Sequence, residues 1–67
     1  MKNLIKVERA RHNLSQQELA DKLGITRQSI YAIESGKFIP STLLAMKMAH
    51  FFKIKVEDLF QLEENEL

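Results

Sequence analysis

The chain has 67 residues, 28% of them charged, a net charge of +1 at neutral pH and no cysteine. At that length a chain buries only about 60% of the surface its unfolded form exposes, enough for one small core but not for a deep catalytic cleft. Disulfides and thiolate metal sites are excluded, and no apolar run approaches the roughly 18 residues of a membrane span, so a single soluble, cytoplasmic domain over residues 1–67 is expected.

The small net charge hides an asymmetry. Residues 1–37 carry +3 and residues 38–67 carry −2, and from Glu57 onward there are five acids and no base. A basic front and an acidic end suit one anionic partner met by one face. One proline and two glycines favour a compact helical domain. The pattern predicts an all-α fold of four or five short helices.

The first helix is predicted from Asn3 or Leu4 to His12, with Ile5 and Val7 beginning its apolar side and Glu8 and Arg9 interrupting it. Asn13 tolerates left-handed geometry and can end it. The second opens on "SQQE", residues 15–18, a capping box: the Ser15 hydroxyl accepts from the Glu18 amide while the Glu18 carboxylate reaches back. Leu19, Ala20 and Leu23 form its inner side, and Gly24 stops it. The third starts at Thr26 as N-cap and runs to about Ser35, with Ile30 and Ile33 on one face and Gly36 after it. The fourth is capped by Ser41, just past Pro40, and runs to about Phe52. Eight of its eleven residues from Thr42 to Phe52 are apolar. That exceeds one core stripe and predicts a second buried surface, inside the fold or against a partner. Met46 and Met48 belong to that surplus as fillers of core or interface. A fifth helix is expected over Val56–Phe60, with Ile54, Val56, Leu59 and Phe60 inward. The ending "QLEENEL" either frays or forms a short terminal β-strand pair with the N-terminal residues.

The informative stretch is 16–35: two short helices joined by a tight turn. Ala20 is small where the helices would cross, Gly24 permits a sharp turn, and Leu19, Leu23, Ile25, Ile30 and Ile33 knit the pair together. With the two isoleucines inward, Arg27, Gln28 and Tyr31 project outward from the first turns of the third helix. Arginine can grip guanine O6 and N7 with two bonds, and glutamine can grip adenine N6 and N7 in the same way. Ser29 can reach base or phosphate, and Tyr31 can lie along the backbone or against a thymine methyl. The start of the second helix, with Gln16 and its free amides, suits a phosphate. Base contact is therefore expected from Arg27, Gln28, Ser29 and Tyr31, and backbone contact from Gln16, Gln17 and Thr26.

The stretch "LSQQELADKLGITRQSIYAIESGKFIPS" resembles the helix-turn-helix of the Cro/C1-type (XRE-type) transcriptional regulators, the family of the lambdoid phage repressors. The resemblance runs from about Ile5 to Phe60 and implies a five-helix, lambda-repressor-like DNA-binding domain. It implies DNA contact for the residue types at Gln16, Arg27, Gln28 and Ser29, and a phosphate contact for Lys37. It also implies an ion pair between Arg9 and Glu34 that ties the first helix to the end of the third. Three positions depart from the pattern. Ile39 stands where relatives often carry asparagine, and Lys55 replaces the usual small cap. Glu8 stands where many relatives have leucine, which leaves the first helix either less buried or in need of a polar pairing.

The expected function is a sequence-specific regulator of transcription, a dimeric repressor of a short palindromic operator. An alternative reading of the same fold is an antitoxin or protein-binding adaptor. The expected partners are double-stranded DNA and a second copy of the chain, because one domain reads only a few base pairs. Val56, Leu59, Phe60 and Leu62 are the expected dimer interface, with Phe51 or Met46 as additions. His12 and His50 lack ligand spacing, Glu18 is spent on its cap, and no nucleophile–base pair or phosphate loop appears. No enzymatic activity, metal, cofactor or small-molecule ligand is therefore expected.

Overall fold

The computed structural model describes residues 1–67. Its elements in chain order are β1 (Lys2–Asn3), α1 (Ile5–Arg11), α2 (Gln16–Leu23), α3 (Arg27–Glu34), α4 (Thr42–Phe52), α5 (Val56–Leu59) and β2 (Phe60–Gln61), followed by a 3-10 turn over Glu64–Glu66. The fold is the expected five helices with a terminal strand pair. β1 and β2 are antiparallel, with Lys2 opposite Gln61 and Asn3 opposite Phe60.

The starts of three helices follow from single hydroxyls. Ser15 accepts from the Glu18 amide at 3.0 Å and Glu18 Oε1 accepts from the Ser15 amide at 2.9 Å, completing the capping box. Thr26 accepts from the Ser29 amide at 3.1 Å, and Ser41 from the Leu44 amide at 3.2 Å. Each cap satisfies one of the amides that a helix start leaves without a partner. α5 has no such side chain, because Lys55 precedes it.

The ends share one device. Past α1, α2, α3 and α4 stand Asn13, Gly24, Gly36 and Lys53, with φ of 55°, 70°, 81° and 59°. In each case the next residue's amide reaches back five positions: Leu14 to the Arg9 carbonyl, Ile25 to Ala20, Lys37 to Ala32 and Ile54 to Ala49, at 2.9–3.0 Å. These are Schellman closures, which need a left-handed residue. Three of the four following residues are the apolar Leu14, Ile25 and Ile54, and all three pack on the core.

That core holds Ile5, Leu19, Ala20, Leu23, Ile30, Ile33, Met48, Ala49, Phe52, Leu59 and Phe60. α2 packs on α3 through Leu19, Ala20, Ile30 and Ile33, all at most 1% exposed. Ala20 lets the two helices come together because its side chain ends at Cβ.

The structure revises the sequence reading in three places and resolves what it left open at Glu8 and at the two methionines. Helix α1 starts at Ile5, because Leu4 and Asn3 are spent on the strand pair and the turn out of it. Its inward face is Ile5, Glu8 and Arg9 rather than Ile5 and Val7, since residues three and four apart share a face; Val7 is 45% exposed. Glu8 is 6% exposed and lies 3.6 Å from Arg11 Nε, the polar pairing that its buried position calls for. The two methionines of α4 separate, Met48 being fully buried and Met46 57% exposed. Leu59 and Phe60, expected at a dimer interface, are 0% and 7% exposed. Their side chains fill this chain's own core, Leu59 from the end of α5 and Phe60 from β2, which pairs with β1.

The C-terminal segment is tied down. The Met1 ammonium lies 3.1 Å from Glu63 and 2.8 Å from Glu66. The hydrogen bonds to Glu66 and then Glu63 hold the ammonium above its usual pKa. The same ammonium holds the Glu66 carboxyl below the usual carboxylate range, with help from the Glu63 amide.

Candidate nucleic-acid interface

With Ile30 and Ile33 buried, the 3.6-residue period of α3 fixes what the opposite side presents. Arg27, Gln28 and Tyr31 are all exposed there, and Tyr31 is 48% exposed. Arg27 and Gln28 occupy the first turn after the Thr26 cap, where the backbone leaves free amides. Neither side chain makes a hydrogen bond or ion pair within the chain, so both keep their full donor sets for an external acceptor. Ser29 differs from these two. It is partly buried, and its hydroxyl lies 2.9 Å from the Thr26 hydroxyl, so the pair forms a small bridge across the cap.

The frame beneath this surface is polar and stiff. Arg9 Nε and Nη2 meet Glu34 Oε2 and Oε1 at 2.9 and 2.8 Å, a bidentate pair. Arg9 Nη1 also donates to the Leu14 carbonyl at 2.9 Å. The two side chains are only 14% and 11% exposed, and the hydrogen bond to Glu34 holds the Arg9 guanidinium above its usual pKa. One arginine therefore fixes the end of α3 to α1 and to the turn before α2. The ion pair implied by the resemblance is present and is built into the fold.

Asn3 adds a second tie that the sequence reading lacked. Its amide donates to the Ile33 carbonyl at 3.1 Å, and its oxygen accepts from the Ile5 amide at 3.2 Å. The side chain thus joins the last turn of α3 to the first of α1. A short polar residue beside a strand gives no sign in sequence of which helix end it will meet.

Gln16 stands at the first position of α2, with its amide 3.5 Å from Glu34 Oε1. Gln17 points away and holds Asp21 Oδ1 at 2.9 Å, one turn along the helix. Lys37, in the loop after α3, lies with Nζ 5.5 Å from the centre of the Tyr31 ring. That distance is within reach of a cation–π attraction. The structure places Gln16 and Tyr31 along one groove with Lys37 over the Tyr31 ring, and leaves Arg27 and Gln28 exposed at the start of α3. It turns Gln17 onto α2 itself and engages Thr26 and Ser29 in the cap.

This is the architecture of a helix-turn-helix module: two short helices across a glycine turn, a braced end, and a second helix with its long polar residues outward. The profile of the helix-turn-helix family (HTH_3) matches residues 5–59. The chain is 56% identical over 66 residues to an uncharacterized HTH-type transcriptional regulator of Methanocaldococcus jannaschii, covering 98% of this chain and all of that one. It is 50% identical over 64 residues to YgzD, an uncharacterized HTH-type transcriptional regulator of Bacillus subtilis, covering 96% and 97% of the two chains. A relative from Archaeoglobus fulgidus, also described as an uncharacterized HTH-type transcriptional regulator, is 45% identical over all 67 residues. The chain belongs to the XRE-type helix-turn-helix family. No helix in it is long and apolar enough to cross a membrane.

Proposed function

We propose that the protein is a sequence-specific DNA-binding regulator of transcription that acts as a homodimeric repressor on a short, nearly palindromic operator. The observation that carries this reading is the orientation of α3. Ile30 and Ile33 are inward and Arg27 and Gln28 are exposed and unpartnered at its N-terminal turn. The N-terminal residues of such a helix are the ones that reach base edges in the major groove.

In this reading Arg27 and Gln28 read bases, with Ser29 and Tyr31 beside them. Gln16 and Lys37 hold phosphates on either side and fix the register. Gln17 and Thr26 act through the backbone positions they support. The relatives named HTH-type transcriptional regulators favour the same conclusion.

The dimer rests on size and on exposed apolar surface. One copy measures 32 × 22 × 20 Å, so it spans about one turn of duplex at most. Two copies with α3 helices about 34 Å apart would read two half-sites. With Leu59 and Phe60 taken by the core, the proposed interface uses the half-buried Val56 and the 61%-exposed Leu62, with Met46 as a further exposed apolar residue.

Selection of bound sequences from random duplex DNA tests the whole proposal. The expected result is one enriched motif made of two inverted half-sites about one helical turn apart. A pool that stays random at low ionic strength would refute it.

A further inference from the structure

Asn3 lies on β1, opposite Phe60 of β2, and its side chain leaves the strand pair for α3. Its amide nitrogen donates to the Ile33 carbonyl at 3.1 Å and to the Glu34 carbonyl at 3.4 Å. A helix leaves its last carbonyls without partners in the helix itself, and these are two of them. Its oxygen accepts from the Ile5 amide at 3.2 Å, so both polar ends of the side chain are engaged within the chain. No other hydrogen bond joins the strand pair to α3.

The two ties on the end of α3 run to different parts of the molecule. Arg9 holds the Glu34 carboxylate to α1, inside the helical body. Asn3 holds the same turn to the strand pair. β2 ends at Gln61, and the next residue is Leu62, 61% exposed and part of the dimer surface proposed above. The route from α3 to that surface thus runs through Asn3, across one strand pairing to Phe60, and on to Leu62. A helix of eight residues moves as a short rod, so a tie at Ile33 and Glu34 governs the direction of Arg27 and Gln28 at the other end.

We infer that Asn3 is a positioning residue: it fixes α3 against the dimer surface and thereby sets the half-site spacing that two copies accept. This rests on the homodimeric reading above and deepens it. Arg27 and Gln28 select the bases within each half-site. Asn3 selects the separation of the two half-sites from inside the chain.

Three duplexes test this: two half-sites at the selected spacing, the same pair with one base pair inserted between them, and a single half-site. Asn3→Asp and Asn3→Ser are compared with the wild type. Both keep an oxygen for the Ile5 amide and lose the amide N–H groups that meet α3. Affinity for the single half-site should match the wild type, and sedimentation should show the same dimer. The preference for the selected over the lengthened spacing should fall about three- to tenfold, the factor expected for one lost hydrogen bond. In the wild type, the Asn3 side-chain amide resonances should differ between complexes with the two spacings, a readout that needs no variant to fold.

An unchanged spacing preference in a folded variant would overturn the inference and leave the proposed function standing. So would an equal loss on all three duplexes, which marks a weakened fold and nothing more. Wild-type Asn3 amide resonances that are identical on the two spacings would overturn it as well. A wild type that binds the selected and lengthened duplexes equally would instead sink the homodimeric reading, and this inference with it.

Discussion

Arg27 and Arg9 are the same residue type with opposite fates. Arg27 is exposed without a partner, while Arg9 is bound bidentately to Glu34 and to the Leu14 carbonyl. Their substitutions should separate cleanly. Arg27→Ala should leave urea unfolding unchanged, weaken binding to the selected duplex by about 1–3 kcal/mol and flatten preference at one base pair. Arg9→Met should instead lower stability by about 3 kcal/mol in urea titration, because it strands the Glu34 carboxylate in a largely dry setting. Arg9→Met combined with Glu34→Leu should recover part of that loss, since removing both charges also removes the stranded one. An Arg9→Met protein as stable as the wild type would show that solvent reaches Glu34 freely. Arg27 and Gln28 were legible in sequence because the cap at Thr26 and the isoleucine spacing fix their side of the helix. Ser29 was only half legible: spacing places it near the groove, but not the hydroxyl that faces Thr26 instead. Glu8 was legible only as a choice between exposure and a polar pairing, and Asn3 not at all, since a charge on an inward face and an amide that bridges two helices depend on tertiary neighbours.

At the scale of the element, the chain is governed by its helix ends. The caps at Ser15, Thr26 and Ser41 were readable, since each is a hydroxyl residue ahead of an apolar run. The end of α4 falls at Phe52 as expected, although a lysine stands where a glycine would announce the stop. Lys53 sits at φ 59° and makes no side-chain hydrogen bond or ion pair, so its left-handed backbone is uncompensated. Lys53→Gly should therefore raise stability by up to about 1 kcal/mol, seen as a higher melting temperature. Gly24 is the converse. A Cβ there would meet nothing within 4 Å, so Gly24→Ala tests backbone geometry alone and should cost about 1 kcal/mol through its φ of 70°. If Gly24→Ala proved neutral, the turn between α2 and α3 would be free to relax. The capping box adds a pH dependence. The Ser15 amide, and then its hydroxyl, hold the Glu18 carboxyl below the usual carboxylate range. That contribution is fully present above the ordinary value near 4.3 and is lost as pH falls through the depressed one. Acid titration of Glu18→Gln should show a shallower loss than the wild type.

The whole molecule is closed by its two ends meeting. The strand pair follows directly on Leu59 and includes Phe60, both buried in the core, and the Met1 ammonium then holds Glu63 and Glu66. The sequence left a frayed end and a paired one equally open, because two-residue strands have no periodicity of their own. The paired end changes which surface is free for a second copy, and so removes half of the interface expected from composition. Leu62→Glu should turn a dimer into a monomer in sedimentation at tens of micromolar, without loss of the fold. A wild type that is monomeric there would contradict the dimer. The terminal clamp predicts a bounded pH window. The ammonium's raised pKa means its contribution is complete below about 7.7–8.0 and is lost as pH rises through the folded value. The Glu66 contribution is lost on the acid side, as pH falls through its depressed value. Amide exchange at residues 61–67 should therefore be slowest between these limits, after correction for intrinsic rates.

Among all these tests, one bears most directly on the claim that the inward isoleucines leave Arg27 and Gln28 as the readers of DNA sequence. It is selection from random duplex DNA carried out in parallel with the wild type and Arg27→Ala. The account predicts the same two half-sites and spacing in both pools, with one base pair per half-site fixed in the first and random in the second. Identical motifs from the two proteins would contradict it.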